Sequence, residues 1–213
     1  VTLMKSATLF GLTGLVAAVA QMFSPMVSDA AKSGVATGEA APAFTLTDSN
    51  GVEHSLEDFA GKTVILEWTN KDCPFVKKFY KEGHMQGWQE TYTAMDDVVW
   101  LSICSSAPGK QGHLTADQWN SEIDKQGINA TAVLIDEDGA VGRAYAAKTT
   151  PHIYVIDGDG VLRYQGAIDC TKSTKASDIE GATNYLAAAA DAVIAGSEVV
   201  EHTTQPYGCS VKY

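Results

Sequence analysis

The sequence predicts an α/β domain, with a mixed central sheet and helices on both faces. Three observations carry that prediction. The continuous apolar runs Thr63–Trp68 and Val98–Cys104 suit strands covered on both faces. Stretches between the runs show the i, i+4 apolar spacing of amphipathic helices. Later, His152–Ile156, Asp157-Gly158-Asp159-Gly160 and Val161–Gln165 read as a strand, a turn and a returning antiparallel strand. Alternating strands and helices closed by a hairpin satisfy the connection rules of such sheets.

Composition sets the outer limits. A chain of 213 residues, 45% of them hydrophobic, suits one domain with extensions. A net charge of −11 argues against nucleic acid or an anionic membrane surface as partner. Lys5 precedes the apolar run Ala7–Phe23, and Ser28-Asp29-Ala30 offers a small-residue cleavage site. Residues 1–30 therefore read as a signal peptide, with a retained membrane anchor as the alternative because the run approaches spanning length. Cleavage removes one Lys and one Asp and leaves the charge at −11. The mature protein is expected to be periplasmic or secreted, in an oxidising compartment and off the membrane.

Residues 31–41, rich in Ala, Gly, Ser and Thr, read as a linker to a domain over 42–196. Phe44-Thr45-Leu46 alternates as a strand, and Asp48-Ser49-Asn50-Gly51 is a turn. Ser55 caps a short helical turn that starts at Leu56. After the strand Thr63–Trp68, a helix following Cys73 puts Phe75, Val76, Phe79 and Tyr80 on an apolar face. Lys77, Lys78 and Lys81 occupy its other side. Gly83 interrupts it, and Met85, Trp88 and Tyr92 resume the spacing as core residues.

Beyond the strand Val98–Cys104, the loop Ser105–His113 lacks the glycine spacing and Gly-Lys-Ser/Thr ending of a phosphate-binding loop. Thr115 and Gln118 form a capping box for a helix that buries Trp119 and Ile123 and ends at Gly127. Thr131–Ile135 is the next strand, followed by a turn at Asp136–Gly139 and a short helix over Ala140–Ala146. The aspartate-rich turns lack the EF-hand ligand pattern, so they read as turn chemistry. Ser177 and Glu180 suggest a second capping box, opening a helix that buries Ala182, Tyr185, Leu186, Ala189 and Val193 and stops at Gly196. Residues 197–213 read as a C-terminal tail.

The candidate chemistry centres on Cys73, at the junction of a strand and a helix, with Pro74 at the first helical position. Unpaired N–H groups and the positive dipole end at a helix start favour thiolate over thiol. Such sites lower a thiol pKa from about 8.5 to roughly 3.5–7.5. Asp72 opposes that effect if close, while Lys71, Lys77 and Lys78 support it.

The four cysteines, Cys73, Cys104, Cys170 and Cys209, include no C-x-x-C pair. Zinc-ligand spacing is absent, and so is a neighbouring dithiol; three complete pairings stay open. A lone thiolate that attacks a disulfide needs a second thiol to release its product. Cys209, in the tail, is the first candidate. Cys104 is the rival, ending a strand at the same sheet edge if the two strands are parallel neighbours. Cys170 is an alternative partner for Cys209. His152, if near Cys73, frames a copper-binding alternative.

Residues 38–196 resemble the thioredoxin superfamily, in its redoxin and peroxiredoxin-like branch related to AhpC/TSA proteins. Gly61-Lys62 followed by Val64-Ile65-Leu66-Glu67-Trp68 looks like the strand entry of its secreted members. The segment Trp68-Thr69-Asn70-Lys71-Asp72-Cys73-Pro74-Phe75-Val76 aligns with their active-site segment. Thr150-Pro151, ahead of a strand and hairpin, looks like their cis-proline loop, and Gly208-Cys209-Ser210 is similar to tails in this group.

The resemblance implies a thioredoxin-like fold and a thiol oxidoreductase or thiol peroxidase-like enzyme. Its catalytic residues are then Cys73 and Cys209, and Thr150, Pro151 and Pro74 form the substrate-facing wall. No cofactor and no metal is implied. The expected partners are a protein or small-molecule disulfide, or a peroxide, together with a thiol electron donor. Two departures stand out. Val76 replaces the second cysteine of C-x-x-C, and Leu66 and Asn70 occupy the Pro and Thr/Ser positions of the peroxidatic motif. The alternative reading is a non-catalytic binding protein for copper or a client polypeptide on the same scaffold.

Overall fold

The structure, a computed structural model, describes residues 1–2 and 34–213. The expected signal segment and its cleavage site lie outside the described residues, as does the start of the expected linker. Among the described residues no helix is long and apolar enough to cross a membrane.

Two strands form where the continuous apolar runs predict them, β3 (Thr63–Trp68) and β4 (Val98–Cys104), and every residue of both is buried. They pair in parallel, Ile65 opposite Trp100 and Trp68 opposite Ile103. Between them run α1 (Pro74–Tyr80) and α2 (His84–Thr93), separated by Gly83 at φ 81°. Only glycine occupies that left-handed conformation without steric cost. After β4, α3 (Ala116–Gln126) carries the predicted capping box: Gln118 N donates to Thr115 Oγ1 and Thr115 N to Gln118 Oε1. It returns to β5 (Ala132–Ile135), which pairs in parallel with β4.

The order then reverses. A short α4 (Ala140–Ala144) and a two-residue β6 (Thr149–Thr150) lead to β7 (His152–Ile156), antiparallel to β3, and β8 (Leu162–Gly166) closes the hairpin. On the other side, β1 (Thr45–Asp48) and the polar edge strand β2 (Glu53–Ser55) complete a seven-stranded sheet of order β2-β1-β5-β4-β3-β7-β8. The sheet is mixed, as predicted.

Alternate side chains of the central strands feed two cores. Ile65, Trp100, Ile153 and Val155 pack with Val76, Phe79, Met85 and Tyr92 of α1 and α2, and with Leu186 and Ala190 of α5 (Tyr185–Ile194). Val64, Leu66, Trp68, Leu101 and Tyr154 pack on the opposite face with Phe44, Tyr145 and Val211. Helices α1, α2 and α5 cover the first face, and Val141 of α4 with Leu56 and Phe59 of a 3-10 turn pack on the second; the carboxyl ends of β3 and β4 meet at one edge, where α/β folds open their sites.

Four expectations need correction. The helix expected from a Ser177–Glu180 box starts later. Residues Ala176–Asp178 form one 3-10 turn, and Asn184 caps α5 by accepting from Ala187 N at 2.9 Å. A Ser-x-x-Glu spacing satisfies the box only where a helix follows directly. Residues 34–41 differ from a free linker, since Gly38 N donates to Leu162 O at 2.8 Å and Ala41 N to Gly160 O at 2.9 Å, which binds them along the β7–β8 hairpin. Residues 197–213 differ from a loose tail: β9 (Cys209–Ser210) pairs antiparallel with β6, and Val199, Tyr207 and Val211 are buried. Finally, Lys78 does not lie on a solvated face; it is buried.

Candidate active site

Cys73 sits where β3 gives way to α1. It is the N-cap residue, extended at φ −70° and ψ 123°, and Pro74 occupies N1, where its missing N–H costs nothing. Cys73 N donates to Asn70 O at 3.0 Å, and Asp72 N to the Asn70 side-chain oxygen at 2.9 Å, so Asn70 shapes the turn that presents the sulfur. The residue is buried. Its thiol donates to Thr150 O at 3.0 Å.

Thr150 opens the facing wall. The Thr150–Pro151 peptide bond is cis. The Thr150 hydroxyl is buried without a hydrogen-bond partner of its own, which leaves it available to the adjacent sulfur. Thr150 is also the Cα partner of Cys209 across the β6–β9 pair. Pro206-Tyr207-Gly208 delivers Cys209 there. Gly208, at φ 144°, allows it, because a Cβ at that position would lie 2.0 Å from Thr150 O.

The two thiols act on each other's titration, in opposite directions. Burial opposes the Cys73 thiolate. The Cys209 thiol, the backbone N–H groups of Val76 and Cys209 and the Thr150 hydroxyl outweigh it together, and hold Cys73 below the ordinary thiol value. Cys209 is pushed up to about 11 by its own burial, by its hydrogen bond to Cys73 and by the charge on Cys73. The first proton leaves Cys73, and Cys209 stays a donor toward it.

Two of the nearby cations are engaged in ion pairs. Asp72 pairs with Lys71 at 2.9 Å, and Lys78 with Asp169 at 2.7 Å. A cleft along the outer side of α1 is lined by Lys71, Lys77, Lys81 and Lys125, with Asp72 and Glu122.

The other predicted candidates lie apart. Cys104 is buried against Trp119 and Val133, its thiol donates to Gly112 O at 3.6 Å, and burial raises its pKa. Cys170 is exposed and held by Thr171 and Thr183. His152 is buried beneath the wall, where its Nδ1 lies 3.1 Å from Tyr154 Oη and 3.4 Å from Lys148 N. Burial, and then the Lys148 charge, lower its pKa to about 3. No group of three or more His, Cys, Asp or Glu side chains that could hold a metal occurs among the described residues. Arg143 lies over the Tyr213 ring, and Arg163 pairs with Asp157 at 2.5 Å.

Two buried polar clusters under the site escape sequence reasoning. Glu67, one strand residue before Trp68, accepts from Tyr80 Oη at 3.1 Å, Trp100 Nε1 at 3.1 Å, Ser102 Oγ at 3.0 Å and Gln89 Nε2 at 3.3 Å. Burial raises its pKa despite those donors. A charged residue within a continuous apolar strand was the available signal. The second cluster is Lys78, Asp169 and Tyr207. Lys78 falls three residues after Phe75, on the border of the apolar stripe, and nothing in the spacing marks Asp169 as its partner.

The profile of the AhpC/TSA family matches residues 37–165. The thiol-disulfide oxidoreductase ResA of Geobacillus kaustophilus is 27% identical over 139 residues, 62% of this chain and 70% of that protein. Among solved structures, an uncharacterized conserved protein from Geobacillus kaustophilus superposes with a TM-score of 0.69 at 26% identity, covering 84% of this chain and 92% of that one. The thioredoxin domain of a thiol-disulfide oxidoreductase from Bacteroides vulgatus superposes with a TM-score of 0.50 at 20% identity, over 70% of this chain and 98% of that domain. The fold is thioredoxin-like.

Proposed function

The chain belongs to the AhpC/TSA family, and from that premise we propose an exported thiol–disulfide oxidoreductase with Cys73 as nucleophile and Cys209 as second thiol. The observation that carries the reading is the pairing of Cys209 with Thr150, which sets two thiols of opposite tendency against each other. The similarity to ResA supports disulfides as the substrate class. Export rests on the charge, apolar run and small-residue site within residues 1–30.

The steps follow from thiol–disulfide exchange. The Cys73 thiolate attacks one sulfur of a substrate disulfide; a Cys73–substrate S–S bond forms and the other substrate sulfur leaves as thiolate. Cys209 gives its proton to that thiolate or to water, then attacks Cys73 Sγ. The second substrate sulfur leaves as thiolate, so the substrate has gained two electrons and the protein, which lost them, holds a Cys73–Cys209 disulfide. A dithiol donor reduces it and restores the starting state. Thr150, Pro151 and Pro74 form the wall on which the substrate chain lies.

Disulfide exchange is favoured over peroxide reduction, because both arginines discussed above are engaged away from Cys73. The test is oxidation of the full chain by oxidised glutathione, followed by disulfide mapping. A Cys73–Cys209 bond is expected, with glutathione trapped on Cys73 in Cys209→Ser. A slow, unperturbed Cys73 with Cys209 bonded to Cys170 overturns the reading and leaves the binding-protein alternative.

A further inference from the structure

We propose that Lys78, Asp169 and Tyr207 are positioning residues, a buried clamp that holds the C-terminal strand so that Cys209 faces Cys73. The inference rests on the two-thiol reading above and names what sets its geometry.

Each sulfur has one end of the clamp close by in sequence. Cys73 caps α1 and Lys78 lies on the same helix; Tyr207 lies two residues before Cys209. Lys78 Nζ donates to Asp169 Oδ2 at 2.7 Å, to Thr171 O at 3.0 Å and to Tyr207 Oη at 3.2 Å. Those three bonds exhaust the ammonium donors. Tyr207 Oη donates in turn to Asp169 Oδ1. The Tyr207 ring stands edge-on to Phe75 of α1, centroids 5.8 Å apart. The side chain of Lys78 is 0% exposed and that of Asp169 2%.

Such an arrangement needs a reason beyond stability. A buried ion pair stabilises little relative to apolar residues of the same volume, because both charges must leave water. What it supplies is a defined geometry, since any displacement leaves a buried charge unpaired. The β6–β9 pair needs that help. It is two residues long on each side, too short to hold its own register. Beyond Cys209 the strand is held by Val211 N to Lys148 O at 3.2 Å and by Ala107 N to Lys212 O at 2.8 Å. The clamp holds it ahead of Cys209, so the cysteine lies between two anchors.

The test uses the full chain carrying Cys170→Ser, with Tyr207→Phe as the variant. Phenylalanine keeps the ring against Phe75 and removes only the hydroxyl. The midpoint of Cys73 alkylation against pH is expected to move upward, because Cys209 supplies hydrogen bonds that favour the Cys73 thiolate. The equilibrium constant for the Cys73–Cys209 disulfide against glutathione is expected to fall about tenfold, the weight of one charge-assisted hydrogen bond. If Tyr207→Phe does not fold, Lys78→Met combined with Asp169→Leu, which removes both buried charges together, gives the same readouts. A folded variant with a lowered Tm and an unmoved alkylation midpoint overturns the proposal, since the cluster is then structural alone. A wild-type chain that forms no Cys73–Cys209 disulfide overturns the two-thiol reading, and the alkylation midpoint still judges the clamp.

Discussion

Cys209 stands directly across an antiparallel bridge from Thr150, the residue whose carbonyl oxygen accepts the hydrogen bond of the Cys73 thiol at 3.0 Å. Three segments far apart in the chain therefore meet at one sulfur. The strand that carries Cys209 adjoins the candidate site as directly as the helix that carries Cys73.

Removing the Cys209 donor alters Cys73 before any disulfide forms. Cys209→Ala is expected to shift Cys73 alkylation toward higher pH, and Cys209→Ser, which keeps a hydroxyl donor, to shift it less. Cys73→Ala is expected to abolish exchange with a disulfide substrate, a loss of several orders of magnitude. Iodoacetamide kinetics across pH, with mass-spectrometric assignment of the labelled cysteine, check the first; turnover with glutathione disulfide checks the second.

Gly208→Ala tests how closely the strand must approach. The added Cβ meets Thr150 O at 2.0 Å and sits at φ 144°, a conformation that L side chains rarely adopt. The expected cost is about 1–3 kcal/mol. Urea denaturation measures it, and amide exchange of Cys209 and Ser210 is expected to quicken in parallel.

Lys78→Met breaks a buried pair and leaves Asp169 charged and without its cation. A loss of about 3–5 kcal/mol is expected at neutral pH. Lys78→Met combined with Asp169→Leu, which removes both buried charges together, is expected to recover most of that loss. Thermal unfolding of the single and double variants against the wild type reads the difference.

His152 sets an acid limit. Its folded pKa is about 3 against an ordinary value of 6.5. Between those values the unfolded chain binds a proton that the folded chain refuses, so stability falls as pH falls through that window. The contribution approaches about 1.4 kcal/mol per pH unit. His152→Gln is expected to remove it, giving a flatter stability profile between pH 6.5 and 5 in denaturant titrations.

Much of the sheet was legible because burial on both faces leaves its mark residue by residue. Thr63–Trp68, Val98–Cys104 and His152–Ile156 read as strands for that reason, and they form with those bounds. Cys73 was legible too, since the strand–Cys–Pro–helix order is local. Edge strand β2 was not, because Glu53-His54-Ser55 is polar and pairs on one side only. The segment around Cys209 read as a tail because no periodicity within it encodes a partner near residue 150. Lys78 misled through its charge: what lets it lie in the core is Asp169, at 2.7 Å and 91 positions away in the chain.

Glu67 settles where this protein can bend. Its carboxylate takes hydrogen bonds from Tyr80 on α1, Gln89 on α2 and Trp100 and Ser102 on β4, and it belongs itself to β3. Shifting any one of those elements strands a buried donor, so the floor under Cys73 behaves as a single rigid block. The segment that carries Cys209 is tied to the same block through Tyr207, whose hydroxyl accepts from Lys78 of α1, so both sulfurs are referred to one frame.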